Sequence, residues 1–234
     1  MTIQPLVILT VNSGLIPSLC DIIGRLEGHK TKSQRQAAIM KKNFYFLFMN
    51  TIVVPLTVNT TLSLFFSNLE WDDLNYQNIA DKIMKNFAGP IFITLAINWT
   101  FVSNGVSMLD IVHHIFKFVM YWRHKKAQEN EEHPMPFVDD YPFDHGYFQA
   151  LAIVVFSLGL TFSAVLPPVS FFLTLYFFFK YYIDKYNLVL VYNREFESGG
   201  IIVKKQVIPL LFLSLYLFQI LNMIYFSIKD KRYL

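Results

Sequence analysis

Long apolar runs, most of about twenty residues, are set off along this chain by charged stretches and, at Pro167-Pro168, by a double proline. Since about 20 apolar residues cross roughly 30 Å of hydrocarbon, the runs predict membrane spans near 4–24, 43–66, 88–122, 147–166, 167–186 and 206–228. Lipid cannot satisfy backbone N–H and C=O groups, so spans must be helices or a closed barrel. Unbroken runs of this length select helices. The predicted fold class is therefore all-α: one polytopic transmembrane helix bundle of about six spans. The stretches 25–42, 123–146 and 187–205 are predicted as loops. The third run is too long for one straight crossing, so it should kink, tilt or run on into water. Gly89-Pro90 near its start and Asn104-Gly105 in its middle are the expected weak points.

Polar residues inside these runs fall in stripes. At 100° per residue, Thr100, Ser103, Asn104, Ser107, Asp110 and His114 of the third run share one face about 120° wide. On the first run Thr10, Ser13, Gly14, Pro17 and Asp21 share a face, and on the second Asn43, Asn50, Thr57 and Thr61 do so. Three striped helices could surround a hydrated path, or the small and hydroxylated residues could pack helices closely and bond across their interface. Asp110 is the sharper signal. A carboxylate within a span is costly and usually faces a cavity, a cation or a basic partner, here His113, His114 or Lys117.

Charge orients the bundle. Arg25, Lys30, Lys32, Arg35, Lys41 and Lys42 follow the first run; Lys117, Arg123, Lys125 and Lys126 follow the third; Lys180, Lys185, Arg194, Lys204 and Lys205 follow the fifth. The other side holds Lys82, Lys85, Lys229, Lys231 and Arg232. Fifteen of twenty basic residues thus lie on one side, which the positive-inside rule makes cytoplasmic. The first run then crosses from outside to inside, and six spans return the C-terminus outside. An N-terminus that opens on a span without a basic leader, and a basic tail on the outer side, lead us to expect that the chain is part of a longer protein.

Composition agrees with a lipid solvent: 54% of the 234 residues are hydrophobic, 24 of them Phe, and 16% are charged, too few to cover a globular surface. A lone Cys20 in an apolar run excludes an intrachain disulfide framework and is expected as a small buried hydrophobe. His113 and His114 are adjacent and point apart, unlike an i, i+4 chelating pair. The sequence carries no phosphate-cradling glycine loop and no nucleophile-base order, so neither an enzyme, a cofactor nor a nucleic-acid partner is indicated. The N-x-T matches at Asn59 and Asn98 lie in or beside spans and read as coincidence.

Three stretches together resemble the osmosensitive cation-channel family of the plant OSCA channels and animal transmembrane-63 proteins. They are LEGHKTKS from Leu26 followed by KKNFYFLFMN from Lys41; IFITLAINWTFVSNGVSMLDIV from Ile91; and Pro167-Pro168 followed by YYIDKYNLVLVYN from Tyr181. The resemblance runs over nearly the whole chain and matches the later part of such a protein, which carries eleven spans and a large cytosolic domain. It implies a partial, anoctamin-like channel architecture in which the first to fourth spans supply four of five pore helices. It also implies that Gly105 is a hinge and that Thr100, Ser103, Asn104, Ser107 and Asp110 line the pore. Where that family carries Glu and then Arg after the hinge glycine, this chain has Ser107 and Asp110, keeping a negative charge moved by about one turn. The function so implied is the pore part of a tension-gated, cation-permeable channel. Membrane lipids, permeant cations and further spans or subunits would be its partners. Lipid scrambling and a structural accessory role are the alternatives.

Overall fold

In the computed structural model the described residues are 3–55, 57–58, 89–127, 137, 143–163, 166–192, 200 and 202–230, and every element among them is helical. The first run forms α1 (Ile3–Thr10), a π turn at Val11–Leu15 and α2 (Ile16–Leu26). Pro17 is the second residue of α2, directly after the π turn. The next helix, α3 (Lys32–Phe48), begins well before the span expected from residue 43, so the expected loop over 25–42 is corrected to a short connection. The reason is local. Thr31 caps the helix by accepting the Gln34 N–H at 3.2 Å, and Gln36, Ala37, Ile39 and Met40 give the supposed loop a face that is buried. A π turn at Met49–Val53 follows, and residue 56 and residues 59–66 of that span lie outside the described residues.

The long third run is continuous in sequence but divided in space. It comprises α4 (Gly89–Asn98), a π turn at Trp99–Ser103, α5 (Asn104–Leu109) and α6 (Ile111–Ala127). The expected weak point at Asn104-Gly105 is regular helix; the chain departs from α geometry on either side of it. The break falls at Asp110, whose φ of 46° and ψ of 43° place it in the left-handed region. Asp tolerates that region better than most residues because its short polar side chain bonds locally. The remaining helices are α7 (His145–Ser163), α8 (Pro167–Tyr186) and α9 (Ile208–Asp230), with π turns at Asn187–Val191 and Val203–Val207 between the last two. Helix α6 and the two π turns also carry helix into the expected loops 123–146 and 187–205.

Among the described residues four helical stretches are long and apolar enough to cross a membrane: Val7–Leu26, Gly89–Ala127, His145–Ser163 and Lys204–Met223. Helix α8 matches the expected fifth span in length, 20 residues, but its last turns carry Lys180, Asp184 and Lys185.

Helix α7 is the hub, packed against α3, α8 and α9, while α8 also lies along α4, the Trp99–Ser103 turn and α5. Close approach is bought with glycine. A Cβ at Gly24 on α2 would stand 2.5 Å from Ile39, and one at Gly146 on α7 would stand 2.9 Å from the same side chain. Ile39 therefore fills the space that two absent side chains leave, and α3 seats between both neighbours. Gly146 N–H also donates to Gln36 Oε1 at 2.8 Å. Further along α7, Phe162 stacks on Phe92 of α4 with ring centroids 4.0 Å apart, and Ser157 meets Ser214 of α9 hydroxyl to hydroxyl. Cys20 is fully buried, as expected.

Candidate functional site

The polar stripes of the first and third runs face each other across one cavity of about 310 Å³. Ser13, Pro17 and Asp21 line it from the first run, and Ser103, Ser107 and Asp110 from the third. A third wall was not foreseen: Asp144, Tyr147 and Phe148 at the start of α7, together with Tyr192. Three carboxylates from three separate helical runs thus reach one cavity between apolar helices.

Each carboxylate is held differently. Asp21 pairs with Arg25 one turn on, 2.8 Å apart. Asp144 accepts the Tyr147 N–H at 3.1 Å as the cap of α7, and burial, reinforced by the nearby Asp21 charge, pushes it above the usual carboxylate range. Asp110 is engaged at both oxygens: Oδ2 lies 3.0 Å from His113 Nδ1, and Oδ1 accepts the Tyr192 hydroxyl at 2.8 Å. A left-handed residue costs roughly 1–2 kcal/mol, and these contacts offset it. Behind the cavity wall the buried Lys180 of α8 places its ammonium 4.3 Å from the Phe148 ring centroid and 2.7 Å from Asp184.

The rest of the expected site points elsewhere. Thr100 and Asn104 are buried against α8, where Thr100 Oγ1 donates to Phe172 O at 2.8 Å and Asn104 Nδ2 to Tyr176 O at 3.2 Å. Together with Gly105 they line a second, largely apolar cavity of about 580 Å³ walled by Phe101, Phe179, Tyr182 and Tyr186. The predicted stripe is therefore divided, with Ser103, Ser107 and Asp110 on the carboxylate cavity and Thr100, Asn104 and Gly105 on the α8 side. The π turn at Trp99–Ser103 is one reason, because its wider turn shifts the angular register that a uniform 100° assigns.

Sequence reasoning missed Asp144, Asn187 and Tyr192. Asp144 had a readable signal: an Asp directly before a helical run is a capping position. Tyr192 had none, since its role depends on where the chain goes after α8. Among the described residues no group of His, Cys, Asp or Glu is arranged to hold a metal ion. The Asn98 match to a glycosylation pattern runs into Trp99 and Thr100, both fully buried within helix.

Known proteins place this architecture. Over 205 residues the chain is 25% identical to the mechanosensitive cation channel TMEM63B of Gallus gallus, covering 84% of the chain and 25% of that protein. It is 27% identical over 198 residues to the hyperosmolality-gated Ca2+ permeable channel 2.2 of Arabidopsis thaliana, covering 84% and 24%. It is 24% identical over 196 residues to the hyperosmolality-gated Ca2+ permeable channel 1.5 of the same plant, covering 80% and 24%. The chain spans about a quarter of the length of these curated relatives. The family model described as "Calcium-dependent channel, 7TM region, putative phosphate" matches residues 1–226, and this membrane protein belongs to that family.

Proposed function

We propose that the chain supplies pore helices to a cation channel opened by membrane tension or osmotic stress, and that the carboxylate cavity is part of its ion path. One observation carries this reading: Asp21, Asp110 and Asp144, from three separate stretches of the chain, converge on one cavity. Carboxylates in such a setting raise the local cation concentration through their field, which screening by bulk salt weakens little there. The relatives' names supply the cation and the mechanical stimulus. Tension would favour whichever conformation occupies more membrane area.

In this reading Ser103, Ser107 and Asp110 line the path, Thr100 and Asn104 fasten its helix to α8, and Gly105 flexes between the π turn and the Asp110 break. Six spans cross the membrane, with 25–42, 123–146 and 187–205 on the cytoplasmic side. Lipids and permeant cations are its partners, and further spans or a partner subunit complete the wall.

The deciding experiment is tension-evoked current in reconstituted patches, wild type against Asp110→Asn. Asn keeps the size, tolerates the left-handed backbone and still accepts the Tyr192 hydroxyl, so the protein should fold while cation conductance or selectivity falls. Current unchanged by the substitution would remove Asp110 from the path. A wild-type protein passing no ions under tension would remove the channel reading and leave lipid movement or a structural role.

A further inference from the structure

A left-handed residue in the middle of a membrane helix strips the preceding turn of its bonding partners. In an unbroken helix Ser107 O would accept the N–H four residues on, at Ile111. Here that carbonyl instead accepts Nδ2 of Asn187, at 3.1 Å. The Asp110 N–H still reaches Val106 O at 3.0 Å, and Asp110 O accepts the His114 N–H at 3.1 Å, so one residue ends α5 and starts α6. Its carboxylate is then held from outside the helix by the Tyr192 hydroxyl, and the Tyr192 ring stacks on His113 with centroids 5.3 Å apart.

Both outside contacts come from one short segment after α8. Asn187 opens the π turn and Tyr192 caps it, and the Tyr192 N–H donates to Asn187 O at 3.0 Å. The two arms are thus fixed relative to each other by a backbone bond. One arm takes the orphaned carbonyl, and the other holds the side chain of the residue that made the orphan.

We infer that Asn187 and Tyr192 form a latch that keeps the α5–α6 junction broken and positions the Asp110 carboxylate on the cavity wall. Released, Ser107 O recovers its helical partner, α5 and α6 join into one helix, and the carboxylate leaves its present place. The functional consequence rests on the ion-path reading above, whereas the latch is a statement about backbone geometry and can be tested without any current.

The test is the distance between spin labels at Phe101 and Trp122, both exposed and on opposite sides of the break, in the full chain in lipid nanodiscs with Cys20→Ala. Wild type should give a single short distance. Tyr192→Phe keeps the ring stacking and removes only the hydroxyl. It should add a longer population, approaching the axial rise of about 32 Å that about 21 residues of unbroken helix give. Asn187→Ala, which removes only the carbonyl tie, should shift in the same direction and decides the matter alone if Tyr192→Phe does not accumulate. Folded variants with the wild-type distribution would overturn the latch. Lengthened distances in a protein that conducts nothing would leave the latch standing and count against the ion path. Unchanged distances in a conducting protein would do the reverse.

Discussion

Asn12 on the first helical run and Thr51 on the second meet side chain to side chain at 2.7 Å, both fully buried. Asn12 Nδ2 donates to Thr51 Oγ1, while Asn12 Oδ1 accepts Asn50 Nδ2, also at 2.7 Å. Each partner sits inside a π turn, Val11–Leu15 or Met49–Val53, so two local irregularities face one another. Such turns cost regular helix geometry and recur where a side chain must be re-aimed. Here they aim amides at each other across an apolar interface.

Replacing Asn12 with Leu should strand Thr51 and Asn50 together. A buried polar group left unpaired costs about 1–3 kcal/mol, and a hydrogen bond between membrane helices contributes about 0.6–2 kcal/mol. We expect a destabilisation of about 1–3 kcal/mol in reversible unfolding in bilayers, with Asn12→Gln less affected. Equal stability of wild type and Asn12→Leu would show the contact to be incidental.

Gly105→Ala is expected to be tolerated in folding, because a Cβ built there meets no atom within 4 Å. Alanine stiffens a helix by about 1 kcal/mol relative to glycine. If Gly105 flexes during opening, the tension threshold should rise while protein yield holds. A lost yield would contradict the open space around it, and an unchanged threshold would deny it the hinge role.

Asp144 sets a pH dependence. Burial raises its proton affinity, so between the ordinary carboxylate value and its own the folded protein holds a proton that the unfolded chain has released. Stability from this group is therefore present at low pH and is lost as pH rises through that window. The negative charge that Asp144 brings to the cavity moves oppositely and is complete only above its raised value. Acidifying the bath on the Asp144 side should reduce cation current at a higher pH than an ordinary carboxylate would, and Asp144→Asn should remove that step. Identical current–pH profiles for the two proteins would exclude Asp144 from the path.

The basic residues predict an orientation. A cysteine introduced at Ser33, beside the start of α3, should react with an impermeant thiol reagent only from the cytoplasmic side, and one at Ser67 only from the opposite side. Ser67 lies outside the described residues. Equal reactivity of both from one face would invert or abolish the assignment.

By itself the sequence determined what depends on composition and local period. Apolar runs long enough to span a bilayer made the chain a membrane helix bundle. Polar residues at helical spacing in the first and third runs, Asp21 and Asp110 among them, were visible as stripes, and Pro167-Pro168 stands at the start of α8. Family membership, too, was readable from the order of three short stretches. What only the tertiary structure decided lies where the helices cease to be uniform. A constant 100° per residue cannot place Asn12, Thr51 or Asn104 correctly once π turns shift the register, so the predicted stripe divided between two cavities. The break fell at Asp110 rather than Gly105 because a left-handed residue is settled by its partners, His113 nearby and Tyr192 eighty-two residues away, and not by intrinsic flexibility. Contacts of that separation leave no periodic trace in sequence, because each depends on where two distant helices come to rest against α7 and α8.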